Sequence, residues 1–152
     1  IQLSEIFHNK NINFSNNLEI VPFTVPHRDE FSETVGYKII GPNKSALFIP
    51  DINKWNLWDK DIVEEVKDVD YAFLDATFFK NGEVNRSMEE IPHPFVVETL
   101  NLFKNESDEL KNKIYFIHFN HTNISLQDKN PVIDSISKLG YNFTRFGDQL
   151  SL

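Results

Sequence analysis

Five histidine and aspartate residues follow or interrupt the apolar runs of this sequence: His27, Asp51, Asp75, His93 and His118. A polar side chain at the end of a buried strand points out of the sheet edge toward a shared cleft, where metal ions and catalytic bases are commonly held. Histidine and carboxylate groups suit zinc, manganese or iron. The pattern therefore indicates metal-assisted hydrolysis, because a metal ion brings the pKa of a bound water close to neutrality.

His27, Asp51 and His118 are the predicted metal ligands. Taken singly, His27 fits a solvated loop, Asp51 a turn or cap, and His118 a hydrogen-bonded core histidine. His118 is the preferred ligand because it ends the run Ile-Tyr-Phe-Ile, and His121 follows three residues later. The occurrence of all three residues at predicted strand ends favours a metal site. Three protein ligands would leave room on the metal for water or a second metal ion.

Asp75 and His93 are the predicted catalytic residues. Asp75 is enclosed by Tyr-Ala-Phe-Leu and Ala-Thr-Phe-Phe, so its carboxylate must be hydrogen-bonded, paired or ligating. Structural pairing is the alternative. His93 stands between two prolines, where it could protonate a leaving group or cap a helix.

The elements that position these residues alternate between strand and helix, which predicts an α/β layered domain. A helix is expected from Asp61, with Asp59 or Asp61 as its N-cap. Another should follow Pro94, with His93 at or next to its N-cap, and a third should span Asn130–Leu139 before Gly140. Residues 104–113 read as a loop or a frayed helix end. Strands are expected at 18–25, 36–40, 45–49, 71–74, 114–119 and 141–146.

Composition limits the classes of partner. The chain has 152 residues, no cysteine, and 15 basic against 23 acidic residues, for a formal charge of −8. Nucleic acid is therefore a poor partner, and a small-molecule substrate is expected. Any metal must be bound by histidine and carboxylate. The longest apolar stretches are far shorter than the ~20 residues of a membrane span.

Two stretches carry a resemblance to a known family: Val-Pro-His-Arg-Asp-Glu-Phe-Ser-Glu-Thr-Val-Gly-Tyr at 25–37 and Leu-Phe-Ile-Pro-Asp-Ile at 47–52. From about Leu18 to Asn123 the chain resembles the C-terminal half of metallo-β-lactamase-fold proteins. The branch in question contains ribonuclease Z, the cyclic phosphodiesterases of phosphonate metabolism and the pyrroloquinoline quinone biosynthesis protein B. The two stretches most resemble the quinone biosynthesis protein and its relatives.

The resemblance implies a role for each candidate residue. His27 matches the isolated histidine ligand of the family, Asp51 the aspartate that bridges two metal ions, and His118 the last histidine ligand. Asp75 lies where ribonuclease Z has the glutamate of its His-Glu-Ala-Thr motif. His93 matches a later histidine that helps to protonate the leaving group.

The resemblance also implies half of an αββα sandwich, a mixed sheet with flanking helices. The His-x-His-x-Asp-His motif of the family does not occur in the sequence, so we expect residues 1–152 to be the C-terminal half of the domain. One or two ions of zinc, manganese or iron would then be completed by ligands outside this chain, and the chain alone would be inactive. A homodimer or association with the N-terminal half is expected.

Two other interpretations stay open. The chain could be a non-catalytic binding or scaffold protein with a decayed metallo-β-lactamase fold, or a complete α/β domain with accidental histidines. Transfer-RNA processing is disfavoured, because Leu74-Asp75 replaces the His-Glu of ribonuclease Z and the chain has no basic surface segment.

Overall fold

The computed structural model describes residues 4–85, 87–88 and 91–152, which form one seven-stranded sheet with its strands in chain order. The first four strands pair antiparallel, and the fourth to the seventh pair parallel. The strands are β1 Ile12–Ser15, β2 Leu18–Val25, β3 Thr34–Ile40, β4 Ser45–Ile49, β5 Tyr71–Asp75, β6 Ile114–Ile117 and β7 Asn142–Phe143.

Helices connect the parallel strands. α1 (Ile62–Lys67) lies between β4 and β5, α2 (Val96–Phe103) and α3 (Asp108–Asn112) lie between β5 and β6, and α4 (Pro131–Ser137) precedes β7. Parallel neighbours require such crossover connections, which is why this half of the sheet alternates with helices. No helix in the described ranges has the length and apolarity needed to cross a membrane.

The core lies between one face of the sheet and the helices. Alternate residues of the central strands, such as Leu47, Leu74 and Phe116, are fully buried, and the helices add Val66 and Val96 to the same cluster. Strand side chains alternate between the two faces of a sheet, so the residues between these point away from the helices.

The opposite face carries a row of aromatic residues, Tyr37, Phe48, Phe73 and Tyr115, which are direct cross-strand partners on β3 to β6. All four side chains are half-buried. The C-terminal residues 144–150 pass beside this aromatic face and enclose a cavity of about 410 Å³ with it. In the described part of the chain, this face of the sheet carries no helix of its own.

The structure confirms the predicted α/β class. Strands 18–25 and 45–49 are confirmed residue for residue, whereas 36–40 begins earlier, at Thr34, and 71–74 extends to Asp75. The strand predicted at 114–119 ends at Ile117, the one at 141–146 shortens to two residues, and the helix at 130–139 ends at Ser137. Residues 104–113 contain the short α3, and β1 was not predicted.

The predicted place of His93 at a helix N-terminus is wrong. α2 begins at Val96 with Phe95 as its N-cap residue. The Glu98 carboxylate accepts a hydrogen bond from the Phe95 backbone N–H at 2.8 Å, which fixes the first turn after Pro94 rather than at it. His93 therefore lies two residues before the cap, in the segment that leads into the helix.

The N-cap of α1 gives a direct test of the local fold. The Asp61 side chain accepts a hydrogen bond from the Val63 N–H at 2.8 Å, so Asp61 and not Asp59 is the cap. We expect Asp61→Ala to lower the free energy of unfolding by about 1 kcal/mol. Asp59→Ala is the matched control and should change it by a few tenths at most. Equal losses in urea titrations of the two variants would contradict the assignment.

Candidate metal centre

The candidate residues meet at one edge of the sheet because of strand direction. Asp51 follows β4 by two residues, Asp75 is the last residue of β5, and His118 comes directly after β6. These three strands are parallel neighbours, so their carboxyl ends share an edge. β2 runs in the same direction as β4, since both are antiparallel to β3, and this brings His27 to the same edge.

Asp75 is the centre of the hydrogen-bond network, and its side chain is fully buried. One oxygen accepts from the Thr77 N–H at 2.9 Å and from the Thr77 hydroxyl at 2.7 Å. The other accepts from the Ile52 N–H at 3.2 Å and lies 2.8 Å from His93 Nδ1. His118 Nδ1 lies 3.7 Å from the carboxylate. The carboxylate thus has the partners that burial demands.

Thr77 connects this carboxylate to both imidazoles. Its Oγ lies 2.9 Å from His118 Nδ1 and 3.2 Å from His93 Nδ1. Because the hydroxyl donates its single proton to Asp75, Oγ must accept from His118, whose Nδ1 therefore carries a proton. His93 Nδ1 donates to Asp75 in the same way. Within the described part of the chain, both rings are left with Nε2 as the atom free to bind a metal ion or exchange a proton.

The network shifts two ionisation equilibria. Burial alone would raise the pKa of the Asp75 carboxyl, but contacts with His118, His93 and Thr77 outweigh it and hold that pKa below its usual value. The contact with Asp75 raises the pKa of His118 against the opposing effect of burial. The fold therefore favours an ionised carboxylate at position 75.

Asp51 has a different environment from Asp75. Its Oδ1 lies 3.2 Å from His27 Nε2 and 3.3 Å from His93 Nδ1. Within the described residues this oxygen is buried without a hydrogen-bond partner, and so is His27 Nδ1. Close donor atoms with unsatisfied lone pairs are what a bound cation requires. One ligand atom each from Asp51, Asp75, His93 and His118 lies within 4.8 Å of the others, and these oxygen and imidazole donors fit zinc.

His118 has a left-handed backbone with φ of 62°. This conformation is uncommon for a residue other than glycine, although histidine is among the residues enriched there, and it costs on the order of 1–3 kcal/mol. It ends β6 at Ile117 and turns the imidazole toward Asp75 and Thr77. The predicted continuation of the strand to Phe119 is wrong for this reason.

The structure brings all five predicted residues into one cluster, but in a different grouping from the predicted one. His93 and Asp75 share a compact group with Asp51 and His118, whereas His27 reaches the cluster through Asp51. His121 is exposed and lies outside that group. Sequence reasoning assigned no role to Thr77. Its signal is the position two residues after a buried aspartate, where a hydroxyl can bond to the preceding carboxylate.

The fold resembles that of a solved zinc protein. The chain superposes on Zn²⁺-bound PqqB from Methylobacterium extorquens with a TM-score of 0.72 and 20% identity, over 97% of this chain and 55% of that chain. It thus spans little more than half the length of PqqB, and a similarity at this identity concerns the fold alone.

A second structure, described as a candidate metal-dependent hydrolase from Parabacteroides distasonis, superposes more loosely. Its TM-score is 0.44 at 13% identity, over 90% of this chain and 54% of that chain. Comparison with curated protein sequences finds no match.

The family assignment comes from the sequence itself. The beta-lactamase superfamily domain matches residues 1–119, well over half of the chain. The mixed sheet with helices on one face agrees with half of a metallo-β-lactamase fold, as predicted. The chain belongs to the beta-lactamase superfamily.

Proposed function

We propose that this chain is the C-terminal part of a metal-dependent hydrolase in which His27, Asp51 and His118 bind the metal ion. The observation that carries the proposal is the buried Asp51 Oδ1, which lies 3.2 and 3.3 Å from two imidazole nitrogens without a hydrogen bond to either. A buried carboxylate oxygen left in this state is costly unless a cation occupies the space beside it. Zinc suits the donors, and manganese or iron are alternatives.

When bound, the metal ion would supply a water of lowered pKa as the nucleophile. The other residues have roles that follow from their hydrogen bonds. Asp75 fixes the ring of His93 through Nδ1. His93 Nε2 then delivers a proton to the leaving group, as a general acid must. Thr77 holds His118 in the orientation that presents its other nitrogen to the metal.

Zinc content tests this proposal. After reconstitution with zinc, the protein that contains this chain should hold one or two ions, and Asp51→Asn should weaken zinc binding by at least about 10–100-fold, the loss typical of a change to a residue that merely supports a ligand. Asp128→Asn, at an exposed position, is the matched control and should bind like the unmodified protein. Absence of zinc from the unmodified protein would remove the proposal and leave the non-catalytic scaffold as the better interpretation.

We also propose that the rest of the domain packs on the aromatic face. Two observations support this: the four aromatic residues of that face are only partly buried, and the chain covers 55% of the similarly folded PqqB. Completion of the metal site by ligands outside this chain would follow from such packing.

Partial exposure of this aromatic face predicts self-association of the isolated 152-residue chain. Phe73→Lys should shift the chain toward monomer in sedimentation experiments, because Phe73 lies at the centre of the aromatic face. Phe31→Lys is the matched control, since Phe31 is fully exposed in the segment between β2 and β3 and lies outside the sheet. A monodisperse, cooperatively unfolding monomer of the unmodified chain would contradict the proposal and favour a self-sufficient domain.

A further inference from the structure

A second cavity borders the histidine cluster and has its own charged group. It has a volume of about 260 Å³, and its walls include His27, His93 and Thr77 from the cluster, with Arg28 and Ser87 as further polar residues. Ligand pockets for drug-sized molecules generally start at about 300 Å³. The cavity therefore fits a small substrate, or the reacting end of a larger one.

Arg28 lies at this cavity without a partner in the described ranges. Its guanidinium takes part in no hydrogen bond or ion pair with a described residue, although Asp29, Glu30 and Glu33 follow closely in the sequence. The Asp29 carboxylate is engaged elsewhere, since it accepts a hydrogen bond from the Thr34 N–H at 3.2 Å. The chain carries a net charge of −8, yet Arg28 has no carboxylate partner among the described residues. Its guanidinium is therefore available to bind a ligand.

The backbone holds Arg28 at the cavity wall. The Asn53 N–H donates to the Pro26 carbonyl at 2.7 Å, which ties the segment before Arg28 to the residues after β4. The bond between Asp29 and Thr34 closes the segment on its other side. The residue next in sequence to His27 is thus fixed beside the proposed metal ligands.

We propose that Arg28 binds an oxyanion group of the substrate, a phosphate or a carboxylate, in this cavity. This rests on the proposed function, since the substrate is the molecule hydrolysed there. The planar guanidinium forms two parallel hydrogen bonds to such a group. Arg28 lines the same cavity as His27 and His93, so it lies beside the proposed metal ligands rather than among them. Arg28 therefore selects substrates whose negative group lies to one side of the reacting bond.

Anion titration tests the proposal, with inorganic phosphate and acetate as probes and calorimetry as the measurement. On the zinc-reconstituted protein, Arg28→Gln should weaken phosphate or acetate binding by about 10–100-fold, the value of a hydrogen bond to a charged group. Arg28→Lys should weaken anion binding less than Arg28→Gln does, because lysine keeps the positive charge although it lacks the planar guanidinium. The probe that suffers the larger loss identifies the oxyanion. Lys138→Gln, at an exposed cation that follows α4, is the matched control and should bind both anions normally.

Zinc affinity is measured on the same variants to separate the two proposals. Arg28→Gln should keep zinc binding within about twofold of the unmodified protein, because Arg28 makes no hydrogen bond to a proposed metal ligand, unlike the outer residues that orient such ligands. Unchanged anion affinity in this variant, no anion binding by the unmodified protein, or a parallel loss of zinc would each overturn the assignment of Arg28. If the unmodified protein binds no zinc, the proposed hydrolase fails. An anion affinity that still depends on Arg28 in the metal-free protein would then support the anion site alone.

Discussion

Replacing Asp75 by alanine is expected to lower the free energy of unfolding by about 3–5 kcal/mol, the cost of breaking a buried charged pair by removing one partner. The side chain is fully buried, so solvent does not reach the donors that its carboxylate now satisfies. The N–H of Ile52, the N–H and hydroxyl of Thr77, and the imidazole of His93 would all lose their acceptor. Urea titration followed by circular dichroism measures the loss.

Two further variants test whether this loss comes from the hydrogen bonds of the Asp75 carboxylate. Asp75→Asn keeps the shape of the side chain, but its amide NH₂ faces donors where the carboxylate accepted, so an intermediate loss is expected. Asp128→Asn, at an exposed position, should change stability by less than about 0.5 kcal/mol. If Asp75→Ala stays within about 1 kcal/mol of the unmodified protein, well short of the loss expected for a buried pair, Asp75 is not the residue that organises the site.

The contribution of Asp75 depends on pH in a defined direction. Its pKa is lower in the folded protein than the usual carboxyl value, so the folded state binds this proton less tightly than the unfolded chain. The stability that it contributes is therefore present above about pH 4. It is lost as the pH falls through the folded pKa. The difference in stability between the unmodified protein and Asp75→Asn should shrink in the same range.

Replacing His93 by glutamine should slow the proposed hydrolysis by about 10²–10⁴-fold, the usual contribution of a general acid. The effect should depend on the leaving group. With a nitrophenyl phosphodiester the departing phenolate is stable without a proton, so the loss should be small. With the corresponding phenyl phosphodiester, whose phenolate needs a proton to leave, the loss of rate should be large. Release of the two phenols by the reconstituted protein measures both rates.

Zinc content separates this role from metal binding. His93 belongs to the group of four potential ligands, so the His93→Gln variant must be shown to keep its metal. Unchanged zinc with a loss that depends on the leaving group supports proton transfer. A fall in zinc content, or equal slowing of both esters, would show that His93 holds the metal or the structure instead.

Much of the site was predictable because it depends on strand ends. Runs of apolar residues that stop at Asp51 and Asp75 indicate where buried strands finish, and parallel strands in chain order bring such ends together. The location of His27, at the end of an earlier strand, follows from the same rule once β3 reverses the chain. Burial of Asp75 was predictable from its apolar neighbours, and its need for partners followed from that burial.

The grouping within the site was not predictable, because it depends on side-chain contacts between segments far apart in sequence. Pro94 suggested a helix start, but the contact of Glu98 with the Phe95 backbone moved the start beyond it. The positive φ of His118, which turns its ring toward Thr77 and Asp75, is encoded by no alternation pattern. The strand β1 was missed because its residues are polar and mostly exposed.

The network around Asp75 also bears on the entropy of metal binding. Immobilising a side chain on association generally costs about 0.5–1.5 kcal/mol. The ring of His118, a proposed ligand, is already held through Nδ1 by Thr77, so most of that ordering occurs during folding. Capture of the ion should then require little rearrangement, and a variant that frees this ring should lose affinity through entropy rather than enthalpy.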